Sequence, residues 1–235
     1  MQPAFLMQEA TLPSLLSLAL TLPRMHKYFI KTPWLVKAIF PSYVWSLPAD
    51  DNAVYITFDD GPHPSITPWV LDQLKEYDAQ ASFFCVGNNV QRYPDVYEQV
   101  LEGGHAVGNH TFHHLNGWNT EEQKYLDDVS KAAELIRTNL FRPPYGRIRQ
   151  SQAKKLSGCM QTSQSKIIMW DVLSADFDSS VTPEQCLANV IDNVVAGSII
   201  VFHDSEKAYP NLKYALPGTL KYLKEAGFSL GKIDL

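Results

Sequence analysis

From Val54 onward the chain alternates short apolar runs with amphipathic stretches. The runs Val54 to Phe58, Ala81 to Val86, His105 to Asn109, a short piece around Phe141, Ile167 to Val172, Ser198 to Phe202 and Phe228 to Leu230 predict strands. Between them, Thr67 to Tyr77, Asp95 to Glu102, Glu121 to Thr138, Arg149 to Leu156, Pro183 to Val195 and Leu212 to Ala226 carry apolar residues at helical spacing. Strand and helix in strict alternation predict a parallel sheet with its crossover helices outside. Six or seven such units in roughly 180 residues predict a (β/α) barrel, in which chemistry gathers at the carboxyl ends of the strands. No Gly/Ser linker, fixed-period repeat or low-complexity tract divides this region, so residues 51–235 are expected to form one catalytic domain behind a leading part, residues 1–50.

That leading part has a different pattern. Leu15 to Leu22 is apolar between Pro13 and Pro23, far short of the about 20 residues that cross a bilayer, so no stable membrane span is expected. A secretory leader would place positive charge before its apolar stretch, whereas the first basic residue here is Arg24, after it. The expected compartment is therefore cytoplasmic, with periplasm or cell envelope as the alternative. Met25 is a second candidate start, which would make residues 1 to 24 an upstream extension. Trp34, Leu35, Ala38, Ile39, Phe40, Val44 and Trp45 predict a leading helix or interfacial segment packed on the domain, with a weak membrane-surface role as the other reading.

Composition narrows the function only by exclusion. With 235 residues, 45% hydrophobic and 19% charged, the chain is neither disordered nor fibrous in composition. A net charge of -5 leaves no broad basic face for phosphates, so nucleic acid is not an expected partner. Cys85, Cys159 and Cys186 are odd in number, far apart and without CxxC spacing, which predicts structural or incidental thiols.

Four segments carry the chemistry, each at a predicted strand end: Thr57 to Pro62 (TFDDGP), His110 to His114 (HTFHH), Arg142 to Gly146 (RPPYG) and Ile199 to Asp204 (IIVFHD). If the second is helical, His110 and His114 share a face with Cβ atoms about 5 to 6 Å apart, although spacing alone leaves His113 in competition. A third ligand from Asp59 or Asp60 would give two imidazoles and one carboxylate, the open set that a catalytic ion requires. The other carboxylate is then available as a general base, with Arg142 to orient it. His203 projects at its strand's mouth as an acid, and Asp171 and Asp176 are both available to orient its ring. One divalent ion, zinc before cobalt, nickel or manganese, is the expected cofactor.

In order and approximate spacing these segments resemble the motifs of the polysaccharide deacetylases, the family that shares the nodulation-type deacetylase homology domain, over roughly residues 52 to 230. The resemblance implies Asp59 as general base; Asp60, His110 and His114 as metal ligands; Arg142 as the residue that positions the base; the Tyr145 backbone amide as an oxyanion donor; and His203 as general acid. It also implies a distorted (β/α) barrel with fewer than eight units, about seven. The fourth motif departs: many members carry an aspartate where this chain places Leu173 and a tryptophan where it has Phe177, while Asp176 aligns with the later aspartate and is assigned to His203. The expected activity is removal of N-acetyl groups from an amino-sugar polymer or oligosaccharide of peptidoglycan or chitooligosaccharide type, so the expected partner is an N-acetylated carbohydrate. An O-acetyl xylan esterase, a sugar N-deformylase and a non-catalytic metal-dependent carbohydrate-binding protein are the competing expectations.

Overall fold

The computed structural model describes residues 28–235. The apolar stretch Leu15 to Leu22, the extension to residue 24 and the candidate start at Met25 lie outside the described residues. Eight parallel strands are present among those described: β1 (Ala53–Asp59), β2 (Ser82–Cys85), β3 (Ala106–Asn109), β4 (Leu140–Phe141), β5 (Lys166–Ile167), β6 (Val172–Leu173), β7 (Ile199–His203) and β8 (Ser229–Gly231). They lie in the order β5-β4-β3-β2-β1-β7-β6, with β8 beside the start of β1. Helices α1 (Trp34–Ile39), α2 (Ile66–Glu76), α3 (Gly87–Arg92), α4 (Pro94–Glu102), α5 (Glu122–Ala133), α6 (Gln150–Ala153), α7 (Leu156–Cys159), α8 (Pro183–Ile191) and α9 (Tyr209–Glu225) connect them. This is the expected distorted barrel of about seven units. No helix among the described residues is long and apolar enough to cross a membrane.

The central strands are apolar on both faces because both faces are covered. Ile56, Phe58, Phe83 and Phe202 pack with Leu74 of α2, Val190 of α8 and Leu216 and Leu220 of α9 in the largest apolar cluster. In a second cluster, Trp45 packs with Tyr125 and Val129 of α5, Phe141 of β4 and Leu156 of α7. At roughly 25 cal/mol per Å² of apolar surface removed from water, such clusters are the main force that closes the barrel. Local signals set the helix starts. Glu121 accepts from the Gln123 and Lys124 amides at the start of α5, and Thr182 forms a capping box with Gln185 ahead of Pro183 in α8.

The predicted strand Ile167 to Val172 is divided in two, and the division makes the barrel. The Ile168 amide continues the ladder with Phe141, and the Asp171 amide begins the one with Ile199. A single stretch thus serves both edges of the sheet, first β4 and then β7. Between those points the carbonyls of Ile168 and Met169 accept from the Arg142 guanidinium, and the Met169 amide donates to Val44. The helix predicted to reach Thr138 ends at Ala133, and α3 was not foreseen, since GNNVQR has almost no apolar period.

The leading segment does pack on the barrel, but not chiefly through its helix. None of the six residues of α1 is buried, and Trp34 is 77% exposed. The segment is held instead by backbone bridges, Thr32 to Asp171, Leu173 to Ile30 and Val44 to Ile167. Lys31 and Lys37 both reach the buried Asp171 carboxylate at 2.5 Å, and Ser198 donates to it at 2.6 Å.

Candidate active site

β1 ends at Asp59, and Asp60 follows with φ 80. Consecutive residues of a strand face opposite sides, so a left-handed residue here is what lets both carboxylates line one cavity. The turn continues through Gly61 and a cis Pro62. Gly61 is required: a Cβ there would lie 2.1 Å from Oδ2 of Asp204. Asp204 is itself buried and accepts from Thr67 Oγ1 at 2.5 Å. Burial pushes its carboxyl up, and nearby Asp60 adds to the effect against the Thr67 hydrogen bond, to about 7.

The histidine segment is not helical. It is a loop after β3 in which Thr111 (φ 63) and His114 (φ 56) are left-handed, and this irregular backbone brings the rings of His110 and His114 to 5.0 Å between centroids. His114 Nε2 lies 3.1 Å and His110 Nε2 3.8 Å from Oδ1 of Asp60. One donor atom from each of Asp60, His110 and His114 falls within 4.8 Å of the others. His110 Nδ1 is 2.7 Å from the Arg142 carbonyl. A carbonyl only accepts, so that nitrogen carries the proton and Nε2 presents its lone pair to the cluster. Two imidazoles and one carboxylate, one imidazole fixed from behind by a carbonyl, fit a divalent ion with open positions. Burial holds the His110 imidazole down to about 4, which keeps it neutral at neutral pH. Burial alone would raise Asp60, but the hydrogen bond from His114 and the positive charge of His203 hold it below the usual carboxylate range.

His113 is turned elsewhere. Its Nδ1 is 2.5 Å from Asp128 Oδ1, and Asp128 also accepts from the Phe112 and His113 amides, so this pair anchors the loop. The competition among the three histidines resolves toward His110 and His114.

Arg142 is fully buried. Its Nη1 donates to Asp59 Oδ1 and Thr57 Oγ1, both at 2.7 Å, its Nε to Ile168 O and its Nη2 to Met169 O, while the guanidinium lies 4.0 Å over the Phe84 ring. Asp59 is thereby clamped from the side away from the cavity. Tyr145 follows in a left-handed turn (φ 61), 62% exposed, with its ring 4.7 Å from that of His114.

His203 ends β7. Asp176 grips it twice, Oδ2 accepting from its amide and Oδ1 facing Nδ1, both at 2.7 Å. Asp171 is occupied by the two lysines and Ser198, so of the two candidate partners Asp176 is the one in contact. Burial alone would lower the imidazole, but Asp176 outweighs it, aided by Asp60 and Asp59, and His203 rises to about 9. A group raised by folding contributes stability that is complete below its ordinary value of about 6.5 and fades as pH rises through about 9. Asp176→Asn is expected to lower the His203 titration in the metal-free protein by at least about one unit, read from the imidazole resonances by NMR. An unmoved titration would remove Asp176 from this role.

These groups open on one cavity of about 480 Å³, lined by Asp59, Asp60, His110, His114, Tyr145 and His203 together with Tyr28, Trp170, Leu173 and Phe177. Of the residues expected from the sequence, Asp59, Asp60, His110, His114, Tyr145 and His203 line it, Arg142 and Asp176 stand behind Asp59 and His203, and His113 and Asp171 are engaged elsewhere. Sequence reasoning missed Thr57, a second acceptor for Arg142, and the wall built by Tyr28. Tyr28 is 150 residues from Asp178, which accepts its hydroxyl hydrogen at 2.6 Å, and no local pattern announces a contact of that range. The three cysteines are free thiols, Cys85 and Cys186 buried, as expected of structural residues.

Comparison with known proteins identifies the family. The family described as "Polysaccharide deacetylase" matches residues 46–159. A peptidoglycan-N-acetylglucosamine deacetylase of Bacillus cereus is 34% identical over 189 residues, covering 78% of this chain and 87% of the relative. A chitooligosaccharide deacetylase of Azorhizobium caulinodans is 33% identical over 162 residues, 66% of this chain and 75% of the relative. Among solved structures, the Bc1960 peptidoglycan N-acetylglucosamine deacetylase superposes with a TM-score of 0.73 at 30% identity, over 82% of this chain and 91% of that one. The peptidoglycan deacetylase PdaC of Bacillus subtilis gives 0.70 at 26% identity, over 80% and 90%.

Proposed function

The chain belongs to the polysaccharide deacetylase family and is a deacetylase hydrolase; from that premise we propose that it removes N-acetyl groups from an amino-sugar glycan of peptidoglycan or chitooligosaccharide type, with a divalent ion at Asp60, His110 and His114. The observation that carries this reading is the division of labour around one cavity: three ion donors, a clamped carboxylate beside them and a raised imidazole next to that carboxylate on the neighbouring strand.

When bound, a divalent ion would supply Lewis acidity to the amide carbonyl and acidify water. The remaining work falls to side chains. Asp59, held by Arg142, takes a proton from the attacking water as its oxygen bonds to the acetyl carbon. The Tyr145 backbone amide donates to the oxyanion that develops there, an interaction whose loss typically costs about 10² to 10³ in rate. As the C–N bond breaks, His203 delivers its proton to the leaving nitrogen, and the products are acetate and a free amine. Asp176 keeps that imidazole charged and aimed until then. Its rise to about 9 keeps the His203 proton in place at neutral pH for that transfer.

Chelation is expected to abolish acetate release from chitooligosaccharides and peptidoglycan fragments, and added divalent ion to restore it. His114→Ala is expected to lose both ion binding and turnover. Activity unaffected by thorough chelation would overturn the ion's part in the reading. Formate from an N-formyl sugar, or acetate only from an O-acetylated xylan, would replace the N-acetyl substrate.

A further inference from the structure

The carboxylate and the two imidazoles that converge on the ion site come from strands that are not neighbours. β2 lies between β1, which leads into Asp60, and β3, which leads into His110 and His114. Strands two apart in a sheet are separated by roughly 10 Å, yet one donor atom of each ligand falls within 4.8 Å of the others. The ladder does not set that distance. β1 and β2 pair as far as Asp59 with Phe84, and β2 and β3 as far as Cys85 with Asn109, each one residue short of the first ligand.

Past those points the two loops are held by four consecutive residues at the exit of β2. The Val86 amide donates to the Gly61 carbonyl at 2.9 Å, the Gly87 amide to that of Thr111 at 2.9 Å, the Asn88 amide to that of Phe112 at 3.0 Å and Asn89 Nδ2 to that of Asp60 at 2.8 Å. Two donors thus go to the carboxylate loop and two to the histidine loop. The turn is pressed against the latter, since a Cβ on Gly87 would lie 2.7 Å from the Phe112 ring. Both loops are left-handed where they are gripped, at Asp60 (φ 80) and Thr111 (φ 63), and such backbone persists only where its surroundings over-determine it. Three of these donors are backbone amides. The fourth is a side chain, and it lands on the carbonyl of a ligand itself. The peptide group that follows Asp60 is planar, so holding that carbonyl holds the ψ of Asp60.

We propose that residues 86–89 are the bridge that sets the spacing of the ion's ligands, and that Asn89 is a positioning residue within it. Asn89 belongs neither to the cavity lining nor to the donor cluster, and acts through Asp60. The inference rests on the ion's place in the reading above and adds the element that fixes the geometry of its site.

The test titrates zinc(II) into the ion-free full chain against a competing chromophoric chelator and follows the melting temperature of the same ion-free samples. Asn89→Ala is expected to weaken zinc about 10- to 100-fold, the usual effect of removing a group that orients a ligand. Asn89→Leu, which keeps the volume and has no donor, is expected to do the same should the first variant fold poorly. Asn193→Ala is the control: it deletes another asparagine-to-carbonyl bond, 3.1 Å to Asn189, away from the cavity, and is expected to keep zinc affinity while losing as much melting temperature. Unchanged zinc affinity in a folded Asn89 variant, or an equal loss in Asn193→Ala, would overturn the bridge alone. No zinc binding by the unaltered chain would overturn the bridge and the ion's part in the reading together.

Discussion

Asp59→Asn is expected to lower turnover about 10²- to 10⁴-fold while the protein still binds its divalent ion. The substitution is nearly isosteric, and the asparagine oxygen can still accept from Arg142 Nη1, which now reaches Asp59 at 2.7 Å. What is lost is the ability to take a proton. Ion binding should survive because the donors that converge are those of Asp60, His110 and His114, not Asp59. The paired measurement is acetate release and ion content on the same folded sample. Deacetylation at the normal rate would remove Asp59 as base, and loss of the ion would make it a ligand instead.

The largest effect on stability is expected at Arg142. Arg142→Ala would leave Asp59, only 4% exposed, with no counter-charge, and would strip the acceptors Thr57 Oγ1, Ile168 O and Met169 O of their donor. Breaking a buried pair in this way typically costs about 3 to 5 kcal/mol. For a chain of this size that corresponds to a fall in melting temperature on the order of 10 °C. Arg142→Lys should be intermediate, since an ammonium keeps the charge but cannot spread donors over Asp59 and two carbonyls of another segment at once. A denaturant midpoint for the alanine variant within about 1 kcal/mol of the unaltered protein would show that the pair is dispensable to the fold.

Most of the site could be read from the sequence because its residues sit at the ends of strongly apolar strands. TFDDGP and IIVFHD each place a polar side chain one step beyond a buried run, and the alternation of strands and helices fixes which end of the barrel that is. The histidine loop was legible in its residues but not in its backbone. Spacing of four evokes a helix, whereas left-handed Thr111 and His114 produce the same convergence by another route. The choice between Asp171 and Asp176 was closed to sequence reasoning for a related reason. Both aspartates lie near the end of the strand expected over residues 167 to 172, but the observed β6 runs between them, so that Asp171 meets the start of β7 and the distant Lys31 and Lys37 while Asp176 meets His203 at its end. The split of residues 167 to 172 likewise depends on Arg142 and Val44, whose claims on that backbone no local propensity records.

Asp171 also has a consequence for how the chain is assembled. Its lysine partners lie 140 and 134 residues before it. The segment bearing them is made long before the carboxylate it closes on, which arrives only with the approach to β6. Domains generally fold as units during synthesis, and contacts across such distances are slow to form. The ion pairs that tie the earliest described stretch to the barrel are therefore among the last contacts to form.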